Sequence, residues 1–142
     1  MKPYLCIDPG ASGGWVYKSN NVVTTGWIEE LPDLSISVDT TVVIEKVPPF
    51  VGRAIPSSSS FKLGYSYGWI VGLWQGRGYK VCLASPQEWQ KTIGCGTKGS
   101  LTTSQWKNKL KAEAQRRYPL QTITLKNADA FLILSHAEQH NL

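Results

Sequence analysis

The chain has 142 residues, of which 42 % are apolar and 18 % charged, with a net charge of +5. That length buries a core without disulfide or metal staples, and the balance reads as a single globular domain over 1–142 rather than a disordered chain. No apolar run reaches the ~18 residues of a membrane span and no signal-peptide layout precedes Asp8, so no membrane partner is expected. The three cysteines, Cys6, Cys82 and Cys95, are odd in number and lack metal-ligand spacing. Cys6 and Cys82 lie in apolar runs and read as buried thiols of a reducing, cytoplasmic compartment.

Tyr4 to Asp8 is a buried strand stopped by Pro9-Gly10. Gly14 to Lys18 and Val22 to Ile28 flank Ser19-Asn20-Asn21, a hairpin signal, so an antiparallel meander is expected first. Glu29 to Asp39 is polar and contains Pro32, which predicts a connection. Thr40 to Glu45 is β-branched nearly throughout and predicts a central strand. Pro48 to Pro56 breaks regular structure, and Ser57 to Ser60 offer an N-cap to a helix from about Phe61 to Gln75. In that helix Gly64, Gly68 and Gly72 form a small-residue stripe suited to close packing.

Tyr79 to Ala84 reads as a further strand. Ser85-Pro86-Gln87-Glu88 carries a cap, a first-position proline and a capping box, so it starts a short helix. A glycine loop over 94–99 leads to a helix from about Thr103 to Arg117, with Pro119 beyond it. A last helix is predicted from near Asn127 to Gln139. The order is β-β-β-β-α-β-α-α-α, a mixed α/β fold with helices layered on a sheet.

Three acids stand apart. Asp8 and Glu45 each end an apolar strand, where an unpaired carboxylate is costly, and Asp129 lies in the first turn of the last helix. If the first and fourth strands are neighbours, Asp8 and Glu45 meet at one sheet edge, and a helix across it brings Asp129 to both. Carboxylates so gathered need cations, and oxygen donors alone suit Mg²⁺ or Mn²⁺. A solvated strand-end acid and an Asp favoured by the helix dipole are the ordinary alternatives.

Ile7-Asp8-Pro9-Gly10 with Gly13-Gly14, then Val43-Ile44-Glu45-Lys46-Val47, then Ala128-Asp129-Ala130-Phe131-Leu132-Ile133 resembles the RuvC-like Holliday junction resolvases of the RNase H-like superfamily. Phe61-Lys62-Leu63-Gly64 with Gly68 is similar to the family helix after the second acid, and Lys91-Thr92 with Gly94-Cys95-Gly96 to its loop before a basic helix. The likeness covers nearly the whole chain in matching order. It implies an RNase H-like fold: a five-stranded mixed sheet, an antiparallel meander followed by parallel strands, with helices on its faces. It further implies a homodimeric endodeoxyribonuclease that resolves four-way or branched DNA by Mg²⁺-dependent hydrolysis, leaving 5′-phosphate ends, with Mn²⁺ able to substitute. Asp8 would bridge two ions, and Glu45 and Asp129 would each hold one. A bacterial or phage-infected cell would be its setting.

The family places a further Asp or His three residues before the last acid; here Lys126 stands there. A charged lysine cannot ligate a metal, so a catalytic role for Lys126 would be phosphate contact or water orientation. Its presence also leaves open a junction-binding protein without turnover, and a related nuclease acting on flaps or RNA is the other alternative. By resemblance Phe50 is the aromatic wedge of a DNA-facing loop that also carries Arg53. Lys91, Lys98, Lys107, Lys111 and Arg117 lie in a basic block opposed only by Glu113, and are the expected phosphate contacts. His136 and His140, four apart, lack the acid placement of a zincin and read as an exposed tail.

Overall fold

A computed structural model describes residues 1–49 and 55–142. Phe50 and Arg53 therefore lie outside the described residues. The strands are β1 (Tyr4–Ile7), β2 (Gly14–Ser19), β3 (Val22–Trp27), β4 (Thr41–Glu45) and β5 (Lys80–Ala84). They form one five-stranded sheet in the order β3-β2-β1-β4-β5. β1, β2 and β3 pair antiparallel, and β4 runs parallel to both β1 and β5. The expected mixed sheet is present. Asn20, at φ 54°, makes the left-handed step of the β2–β3 turn, which Asn tolerates.

The helices are α1 (Ser57–Gly76), α2 (Pro86–Ile93), α3 (Thr103–Arg117) and α4 (Ala128–His140). β1 and β4 are covered on both faces, which is why both read as continuous apolar runs. Alternation sorts their side chains. Leu5, Ile7, Val42 and Ile44 point to a cluster completed by Ile70 and Trp74 of α1, whereas Tyr4, Cys6 and Val43 point to one built with α2, α3 and α4. The same parity sends Asp8 and Glu45 toward the three-helix face.

Several expectations are corrected. The segment after β3 is not irregular: Ile28–Asp33 is a 3₁₀ helix whose Leu31 is fully buried under the α1 face. The four serines lie inside α1, and Pro56 occupies the cap position. Among the described residues nothing lies within 4 Å of a Cβ at Gly64, Gly68 or Gly72, which share an exposed face of α1 with Phe61, Tyr65 and Trp69. Cys82 is only half-buried, unlike Cys6. His136 is buried and His140 is helical to the end of α4, since the Thr92 hydroxyl of α2 sits 2.8 Å from His136 Nδ1 and 3.0 Å from His140 Nε2. Among the described residues no helix is long and apolar enough to cross a membrane.

Candidate active site

Tyr4 to Ile7 pair in register with Thr41 to Ile44, so the next residue on β1 and the last on β4, Asp8 and Glu45, leave adjacent strands at the same level. The Asp8 N–H donates to the Gly14 carbonyl at 2.9 Å, closing the turn, and its Oδ1 accepts the Gly10 N–H at 3.2 Å. Gly13 is required for this closure. A Cβ there would stand 2.2 Å from the Asp8 carbonyl oxygen. Gly14 serves a different approach, since its Cβ would meet the Gly26 and Lys126 carbonyls at 2.9 and 3.0 Å. These glycines admit backbone, not ligand.

Asp129 is brought to the same edge by α4, whose entry is fixed by a residue that the sequence marked only as a helix start. Asn127 is buried; its Oδ1 accepts the Thr124 N–H at 2.8 Å and its Nδ2 donates to the Thr122 carbonyl at 3.1 Å. Asp8, Gly10, Gly13, Lys107, Lys126 and Asp129 line one cleft of about 580 Å³.

The three acids are linked through Asp8, whose charge acts on both of the others. Burial, followed by the charges of Asp8 and Asp129, pushes the Glu45 carboxyl up to about 8, against one opposing hydrogen bond from Trp89. Burial and the Asp8 charge push Asp129 up to about 7. Asp8 is raised as well, chiefly by burial, and the Gly10 N–H and the Lys107 ammonium pull it partly back. Lys107 also lowers Asp129. Such a group holds protons at neutral pH unless cations replace them.

The remaining basic residues separate by position. Lys126 reaches the cleft, but its Nζ lies 4.7 Å from the centre of the Trp27 ring. Lys111 lies one helical turn beyond Lys107 on α3. Lys91 lines another cleft, with Gln87, Gln90, Gly94, Gly96 and Thr97, and Lys98 is half-buried in the loop that follows. Arg117 is engaged inside the fold, donating to Glu113 at 2.8 Å, to the Ser135 hydroxyl at 2.8 Å and to the Ile93 carbonyl at 3.0 Å. Sequence reasoning missed Trp89, which is buried and donates its indole N–H to Glu45 Oε2 at 2.7 Å.

The structure of Thermus thermophilus RuvC is similar, with a TM-score of 0.56 over 98 % of this chain and 96 % of that one, at 15 % sequence identity. The fold is RuvC-like. No family model and no curated protein sequence matches. The RuvC-like sheet and its covering helices thus stand on structural likeness, and the chemistry stands on the residues above.

The donor chemistry suits a hard cation: oxygen atoms only, three carboxyls with raised proton affinity, and an open cleft beside them. Among the described residues no three acidic, histidine or cysteine side chains are already closed into a ligand shell. The fit is therefore one of donor chemistry and of placement at one edge of the sheet.

Proposed function

We propose that this chain is a metal-dependent endonuclease of branched DNA, a Holliday junction resolvase working as a homodimer. The observation that carries the reading is the meeting of Asp8, Glu45 and Asp129, delivered by β1, β4 and α4, with the Asp8 charge acting on the other two and the Asp129 charge on Glu45. Asp8, Glu45 and Asp129 would hold Mg²⁺, or Mn²⁺ in its place. Held by these residues, such an ion would supply an activated water and charge stabilisation for the oxygen leaving the scissile phosphate. The chain's own part is to hold the acids at one edge and keep their surroundings dry enough that their charges matter. Lys107, whose ammonium already acts on Asp8 and Asp129, is the cation best placed to meet a phosphate entering the cleft. Lys111, Lys98 and Lys91 extend the basic surface. Phe50 and Arg53 belong to this proposal through the family resemblance alone.

The test is incubation of the purified protein with a four-way junction, a flap, a duplex and an RNA hairpin, in Mg²⁺ and in Mn²⁺. Paired nicks in the junction, bearing 5′-phosphates, are expected. Tight junction binding with no nick in either metal would instead show a binding protein of the same fold, and preference for the flap or hairpin would change the substrate class.

A further inference from the structure

Among the described residues, Glu45 is the member of the acid group with a neutral side chain bonded to it: Trp89 Nε1 donates to its Oε2 at 2.7 Å. The two residues share a frame. Glu45 pairs with Ala84 across the β4–β5 ladder, and the next amide, Lys46 N–H, donates to the Ala84 carbonyl at 2.8 Å. Ser85 follows directly and caps α2. Its hydroxyl accepts the Glu88 N–H at 3.2 Å, and the Glu88 carboxylate accepts the Ser85 N–H at 2.8 Å. Trp89 is therefore anchored one helical turn from the rung that holds Glu45. Its ring is 1 % exposed, packed in the cluster that includes Val43, Ala84 and Phe131.

An indole has a single donor and no acceptor, and a donor buried this deeply is costly to leave without a partner. Glu45 stands beside two like charges that repel it. Left unrestrained, its flexible side chain would turn toward solvent. The indole opposes this by holding one carboxylate oxygen, Oε2, which leaves Oε1 without a bond to Trp89.

We infer that Trp89 is the positioning residue of Glu45, presenting it to a divalent cation as a one-oxygen ligand. The inference rests on the metal-dependent reading above. Residues that fix ligands from behind change metal affinity by about 10- to 100-fold when removed. W89F keeps most of the apolar volume and deletes the donor.

The experiment measures Mn²⁺ affinity by calorimetry on the wild type, W89F and E45Q, with thermal unfolding and metal-free junction binding as controls. W89F is expected to weaken Mn²⁺ about 10-fold or more while binding the junction normally in EDTA. A folded W89F with wild-type or tighter Mn²⁺ affinity overturns the positioning role and leaves the metal reading standing. A wild type that binds no Mn²⁺ removes both. Should W89F fail to fold, ¹⁵N-labelled wild type reads the same contact. Mg²⁺ should shift the indole N–H signal that E45Q also shifts, and a titration that leaves that signal in place overturns the inference.

Discussion

The Lys126 ammonium sits 4.7 Å from the centre of the Trp27 ring, tying the entry of α4 to the end of β3. Its charge is thus held by an aromatic face at the rim of the acid cleft. K126D exchanges that cation for a carboxylate three residues before Asp129. The variant should bind Mn²⁺ about 10-fold more tightly, since affinity for hard cations follows ligand charge. Calorimetry checks this, and unchanged affinity would place residue 126 outside the centre.

D8N removes a charge that raises both Glu45 and Asp129. Junction cleavage should fall by at least about 10²- to 10³-fold, the scale on which loss of one electrostatic group acts, with binding retained. The metal-free variant should also melt higher than the wild type at pH 8, because the repulsion is gone. Cleavage at the wild-type rate would refute the assignment of Asp8.

The pH dependence has a definite sign. Glu45 moves from 4.5 to about 8 and Asp129 from 3.8 to about 7 on folding. Above pH 5 the unfolded chain has released these protons while the folded chain still holds them, so metal-free stability falls as pH rises toward 8 and then levels off. Thermal unfolding in EDTA between pH 5 and 8.5 measures it. E45Q should flatten the slope, and saturating Mg²⁺ should restore stability most at the alkaline end. At the acid end the sign reverses: Glu113, held down to about 2 mainly by its bond to Arg116, loses its contribution as pH drops from 4.5 toward 2.

Two glycine substitutions should act in opposite directions. G13A drives a methyl into the Asp8 carbonyl and should destabilise by roughly 3 kcal/mol. G68A meets open space on exposed α1 and should stabilise by about 0.5–1 kcal/mol, through helix propensity alone. Melting temperatures separate the pair; a G13A that melts no lower than the wild type would contradict the close approach at Gly13, and a G68A that melts lower would contradict the open space at Gly68.

Much of this was readable from residue pattern. The apolar runs that end on Asp8 and Glu45 are visible in the residue order, and the α2 cap box is local chemistry visible in four letters; that the two acids share a face follows once β1 and β4 pair in parallel. What escaped was non-local. Trp89 gains its partner only because β5 lies beside β4, and Asn127 gains its role only once 122–127 folds on itself. His136 looked like tail because nothing in its own helix reveals Thr92 beneath it. The α1 glycines looked like packing sites because spacing alone does not say which side of a helix meets the sheet.

The parallel pairing of β1 with β4 also has a kinetic side. Parallel neighbours must wait for the intervening chain to close, and α4 must then dock against β1 before Asp129 reaches the other acids. A partly folded chain that has only its β1–β3 meander therefore carries one acid and no centre. Catalytic competence would arise in a single late event, so refolding followed by cleavage should lag behind refolding followed by sheet formation.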